Sequence, residues 1–269
     1  MKRNLKTLKK SKDGLVSDFC IVCTPRSGSY YLMEYMCKTF SLAEGNEWFG
    51  RNKAVDLSKP FELKQTRLDI DWTVNEDLLT PKEIQQRLKH LQNFPIPFCI
   101  KAMPLQFTNT IEQVDLPRQE KLDFAFKILK QFDLIWFQRE DKISHFCFEL
   151  TAMHCSQPGY PKNREFSIYD REKRATPKPQ SFTATEKDFE KYMFREEFTN
   201  DLMEWFDAPQ IVYEDFVEDQ DECIMEVAEW YGIKPDFKEE NKKDIIHNPD
   251  YTEIFKNYKE IETWFRFMK

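Results

Sequence analysis

No apolar run in this chain approaches the ~20 residues that a helix needs to cross a bilayer, so a membrane span is excluded and a soluble protein is expected. Nor is there an excess of positive charge. Forty Lys and Arg face 47 Asp and Glu, for a net charge of −7. General nucleic-acid binding usually needs a basic domain and is therefore not expected, although a local basic pocket for an anionic cofactor remains compatible with this balance. Paired cysteine motifs are missing too. Of seven cysteines, Cys20 and Cys23 form one CxxC, with no second to complete a zinc set. Both fall in an expected strand, where residues three apart point to opposite faces. Cys20, Cys23, Cys99 and Cys147 sit in apolar runs, the usage of buried reduced thiols, and a cytoplasmic location is expected. Met1 to Lys12 hold six cations and no acid, but no apolar stretch follows, so this is not a secretory signal. Residues 1–17 are expected to be a basic arm and 18–269 a single domain, for which 24 Phe supply ample core.

What the chain does have is one distinctive stretch, Phe19-Cys20-Ile21-Val22-Cys23-Thr24-Pro25-Arg26-Ser27-Gly28-Ser29-Tyr30-Tyr31. Its opening suits a buried strand. Pro25, with no N–H to donate, ends the ladder. A compact turn follows, with one cation, one glycine and two hydroxyls, and then Leu32, Tyr35, Met36 and Phe40 recur at helical spacing. Strand, tight glycine turn and helix make an anion-binding arrangement, because the first amides of a helix lack internal partners and the helix dipole favours negative charge there. A Walker A loop requires GxxxxGK[ST]. Here a single glycine follows the cation, so an ordinary ATP or GTP loop is not expected.

Three further strand-then-helix units follow. Phe98-Cys99-Ile100-Lys101 is a short strand ending in Lys101. Leu134 to Gln138 is a continuous apolar strand ending at Arg139, with a helix from Asp141 onward. Ile211-Val212-Tyr213 leads into a helix over 219–230 that Gly232 closes. Thr80-Pro81-Lys82-Glu83 is a helix start, with Thr as cap, Pro in the first turn and Glu three positions on. Thr185 caps a helix that runs to Phe206. Residues 51–95 are polar and mostly helical in pattern, and 41–50 form a loop. Pro158 to Pro179 is a long basic excursion, either a lid or a solvated loop. The fold class is α/β, a mainly parallel sheet flanked by helices.

The order Pro25-Arg26-Ser27-Gly28-Ser29 resembles the 5′-phosphosulfate loop of the sulfotransferases, which use 3′-phosphoadenylyl sulfate (PAPS) and release 3′,5′-adenosine bisphosphate. The resemblance implies their three-layer, P-loop-like fold. It also implies that Arg26, Ser27, Gly28 and Ser29 grip the 5′-phosphate and sulfonyl group, with Tyr30 offering its backbone amide where the family often has Thr. Glu47-Trp48-Phe49 resembles the Glu-Phe-Phe segment of the trehalose 2-sulfotransferase type, which implies Glu47 as catalytic base. Lys101 matches the family's strand-end Lys, and Met103 stands where other branches carry a catalytic His. The strand ending in Arg139 resembles the family's 3′-phosphate signature. Its usual Ser position is Cys147 here, and Ser144 is the substitute hydroxyl. The segment from Tyr213 to Phe216 resembles a third, chiefly structural block. The implied activity is transfer of a sulfonyl group to an acceptor hydroxyl on a small molecule, carbohydrate or glycolipid, with Glu47, Lys101 and Arg26 as the catalytic set and no metal. The alternatives are a small-molecule kinase and a non-catalytic nucleotide-binding protein of the same fold.

Overall fold

The computed structural model describes residues 18–25, 27–50, 53–59, 62–67, 79–108, 116–155, 181–239 and 250–267. The basic arm 1–17, the excursion 158–179 and Arg26 lie outside the described residues. The chain groups into two compact units, one of residues 1–138 and 195–243, the other of residues 139–194 and 244–269.

The first unit is built on β1 (Phe19–Cys23), and all five of its residues are fully buried. A strand with a neighbour on each side and cover on both faces must be apolar throughout, and FCIVC is. Parallel to it run β5 (Phe98–Ala102) on one side and β6 (Asp133–Gln138) on the other. β2 (Ala43–Glu44) completes one edge and β7 (Gln210–Val212) the other, giving the order β2-β5-β1-β6-β7. The protein is therefore α/β, with a five-stranded parallel sheet and flanking helices. The chain leaves β1 towards β5 and β2 but leaves β6 towards β7. The carboxyl ends of β1 and β6 thus flank the reversal of winding, the crevice where open parallel sheets hold ligands.

Helices α1 (Ser29–Thr39), α2 (Pro81–Gln92), α3 (Leu105–Thr108), α4 (Arg118–Leu129), α7 (Tyr213–Glu218) and α8 (Gln220–Tyr231) belong to this unit. α2 starts on the expected capping box. Glu83 N–H donates to the Thr80 hydroxyl at 3.2 Å, and Thr80 N–H donates to the Glu83 carboxylate at 2.7 Å. α8 is capped by Asp219 and closed by Gly232 at φ 66°. Three expectations are corrected. The loop after α1 contains β2. The stretch read as mostly helical contains an antiparallel pair, β3 (Lys53–Val55) and β4 (Gln65–Arg67). The turn at Tyr213 is the helix α7. Strands of two or three residues are too short to show a period.

The second unit holds α5 (Lys142–Cys155), the first half of α6 (Glu186–Met203) and α9 (Tyr258–Arg266). Its apolar cluster centres on Phe146 and Tyr192, with Phe265 edge-on to both. Asn257 clamps Ala184 through both backbone groups, at 3.0 Å each. As expected, Thr185 caps α6, accepting the Asp188 N–H at 3.2 Å. Among the described residues no helix is long and apolar enough to cross a membrane.

Candidate functional site

β1 stops at Cys23, and the chain turns through Thr24, Pro25 and Gly28 into α1. Gly28 holds φ 90°, in the left-handed region where a side chain is strained. A Cβ there would also lie 2.6 Å from the Tyr213 ring, so the turn has room only for glycine. The block that begins at Tyr213 thus packs against this turn. α1 begins at Ser29 with no side-chain cap and no acid in its first turn, and the Tyr31 N–H donates back to Gly28 O at 3.0 Å. The Ser27 hydroxyl is buried and forms no hydrogen bond of ordinary geometry among the described residues. It faces the Cys23 thiol, a weak hydrogen-bond partner.

Lys101 arrives by register. It is paired opposite Ile21, near the end of β5, and so comes up beside the loop that leaves β1. The segment after β2 continues along the same strand: Gly45 N–H donates to Cys99 O and Lys101 N–H to Asn46 O, both at 2.8 Å. A Cβ on Gly45 would meet Ile100 at 2.5 Å, which explains a glycine there. Asn46 then takes φ 48° and turns the chain, so that the Glu47 carboxylate lies 3.0 Å from the Lys101 ammonium. That ammonium also sits 5.9 Å from the centre of the Tyr30 ring, a cation–π contact on the first turn of α1.

Cys23 shows how close these groups are. Burial pushes its thiol up, the Lys101 charge and then the hydroxyls of Ser29 and Ser27 pull it back, and Glu47 pushes it up again. The structure thus gathers Ser27, Gly28, Ser29, Tyr30, Glu47 and Lys101 at the carboxyl ends of β1 and β5.

Arg139 and Ser144 belong to the other unit. Arg139 directly follows β6 and is buried, with its guanidinium 5.4 Å from the Phe148 ring centre. Ser144 lies in the first turn of α5, where Asp141 takes both its backbone N–H, at 2.9 Å, and its hydroxyl, at 2.5 Å. Cys147 is buried, and its thiol is pushed up to about 12, first by burial and then by the Asp141 charge. His145 is fully buried, with Nδ1 3.1 Å from the Tyr192 hydroxyl. Met103 N–H donates to the Gln106 side chain at 3.1 Å.

One participant escaped the sequence reading. Arg87 lies on α2 within the apolar stripe of Ile84, Leu88 and Leu91, and a cation in such a stripe was the available signal. It is 7% exposed, and burial pulls its guanidinium down to about 10, with the Glu83 charge opposing.

No family model matches this chain, and no curated protein does. Among solved structures, it is similar to the sulfotransferase domain from the curacin biosynthetic pathway, at 15% identity over 89% of this chain and 82% of that one, with a TM-score of 0.45. The sulfotransferase from Alicyclobacillus acidocaldarius is similar at 12% identity over 93% and 91%, with a TM-score of 0.49. Mouse sulfotransferase SULT7A1, solved with PAP, is similar at 14% identity over 88% and 68%, with a TM-score of 0.38.

Proposed function

We propose that the protein is a PAPS-dependent sulfotransferase that moves a sulfonyl group to an acceptor hydroxyl. The observation that carries the reading is the uncapped, glycine-only turn from β1 into α1, with the Ser27 hydroxyl buried in it and the Lys101–Glu47 pair beside it. These residues fit the donor's 5′ end. Loop amides, the Ser27 and Ser29 hydroxyls and the Lys101 ammonium would hold phosphate and sulfonate oxygens. Arg26, outside the described residues, is assigned to the same grip from its place in the Pro25-to-Ser29 order. Arg139 is assigned to the 3′-phosphate, because a planar fork suits phosphate oxygens and it follows a sheet strand directly.

When bound, the donor supplies an activated sulfonyl group. With that anion at the loop, Lys101 would turn from Glu47 towards it, and the Glu47 carboxylate would be free to take the acceptor's proton. Lys101 and the loop amides would offset negative charge on the leaving phosphate, the preorganised electrostatics that usually contributes most to catalysis. The resemblance of Glu47-Trp48-Phe49 to the trehalose 2-sulfotransferase segment supports a carbohydrate or glycolipid hydroxyl as acceptor.

Calorimetric titration with 3′,5′-adenosine bisphosphate tests this. Micromolar binding is expected in the wild type. Lys101→Ala and Arg139→Ala each weaken it about 10- to 100-fold, the loss of a charge-assisted hydrogen bond. Gly28→Ala abolishes it by filling the turn. A wild type that binds neither PAPS nor the bisphosphate ends the sulfotransferase reading. Binding without transfer to any hydroxylated acceptor favours the non-catalytic alternative.

A further inference from the structure

Glu47 is carried by a tight turn in which Gly50 N–H donates to Glu47 O at 2.8 Å. The support for that turn comes from α2. The Arg87 guanidinium donates from one nitrogen to Trp48 O at 2.7 Å and to Gly50 O at 3.3 Å. In return the Trp48 indole N–H donates to the Arg87 carbonyl at 3.1 Å. Trp48 is fully buried, and its ring lies 5.3 Å from that of His90, one turn further along α2. Two carbonyls and one indole therefore lock the three residues after Glu47 to a helix.

A buried guanidinium is costly to desolvate, and an apolar residue of similar volume would serve stability as well or better. What the guanidinium adds is geometry, because its planar donors hold two carbonyls at a fixed separation. We infer that Arg87 is a positioning residue, holding the Glu47–Gly50 turn so that the Glu47 carboxylate stays against Lys101. Arg87 acts through the Trp48 and Gly50 carbonyls and not on the reacting atoms. Its consequence for catalysis rests on Glu47 being the base, while its consequence for the ion pair does not.

The test reads the pair directly. Lysines are acetylated with an N-hydroxysuccinimide ester, and per-residue rates are taken by peptide mass spectrometry. Lys38, paired with Glu34 at 3.0 Å on α1, is the internal reference. Glu47→Gln sets the scale and should raise Lys101 acetylation relative to Lys38 about two- to fivefold, the range for a partly exposed ion pair. Arg87→Met is expected to give a rise of the same size and Arg87→Lys a smaller one. Trp48→Phe removes the return bond without touching the cation and gives a second, milder perturbation of the turn. Wild-type acetylation of Lys101 in Arg87→Met, or a parallel rise at Lys38, would overturn the inference. On a panel acceptor turned over by the wild type, Arg87→Met should lower kcat about 100-fold, the cost of a catalytic group misplaced by about an ångström, with bisphosphate affinity raised by no more than about two- to fivefold as Glu47 competes less for Lys101. An unchanged kcat beside raised Lys101 acetylation removes Glu47 as the base and leaves Arg87 as the residue that holds the turn. Failure of the wild type to bind the bisphosphate removes the sulfotransferase reading and leaves the acetylation result standing.

Discussion

Gly28 does two jobs at once. Its backbone needs the left-handed region, and its missing Cβ leaves room for the Tyr213 ring. The first requirement was legible, since a tight strand-to-helix turn asks for glycine. The second was not, because it pairs residues 185 positions apart in the chain. Asp18, at the other end of β1, carries a prediction. Its carboxyl is pushed up from 3.8 to about 6, chiefly by burial and in part by Asp133, with the Phe98 backbone bond opposing. A folded-state value above the unfolded one favours the neutral acid on folding. The stabilisation is therefore complete below about pH 4 and is lost as pH rises through about 6. Asp18→Asn keeps a neutral acceptor for the Phe98 N–H. It should melt at a higher temperature than wild type at about pH 8, and the two should coincide below about pH 4. Thermal unfolding followed by circular dichroism across that range checks this, and an equal gain at both ends would show that charge is not the cause.

Among the elements, α2 illustrates how a local rule reaches the site. Its capping box was plain in Thr80 and Glu83, and the structure contains it as written. The helix it starts delivers Arg87 to the turn that bears Glu47. Thr80→Ala removes the acceptor for the Glu83 N–H and should cost about 1 kcal/mol of stability. In denaturant unfolding the midpoint should fall without a change in slope, since the buried surface is unchanged. A shift no larger than that of an exposed control, Lys82→Ala, would mean the box contributes nothing. β1, β5, β6 and β7 were readable from apolar runs ended by charge or Pro. β2 was not, because a two-residue edge strand is defined by pairing with Phe98 and Cys99 rather than by its own composition. The β3–β4 pair hid in a polar stretch for the same reason.

At the level of the whole molecule, six described cysteines are all buried. Burial raises the thiols of Cys20 and Cys99 well above 9 and that of Cys147 to about 12. Thiolates are the reactive form, so these residues should resist alkylation in the native protein. Cys20 and Cys99 lie in one unit and Cys147 in the other. Neither unit is a continuous stretch of chain, so melting one leaves the other with a long open loop or loose ends. One cooperative transition is expected, with all three thiols becoming reactive to iodoacetamide at a single denaturant midpoint. Separate midpoints for Cys147 and the β1–β5 pair would show two folding domains.

The sequence by itself determined the α/β class, the place of the β1–α1 turn and the caps of α2, α6 and α8. Each depends on residues within a few positions of one another, where backbone geometry and hydrogen bonding act locally. It also marked Lys101 as a strand end and Glu47 as a loop carboxylate. Only the tertiary structure decided that these two meet at 3.0 Å, that Lys101 lies by Tyr30, and that Arg87 bonds the Glu47–Gly50 turn. Those contacts depend on the register of β5 against β1 and on the left-handed turn at Asn46, and register is a property of paired strands, not of either one alone.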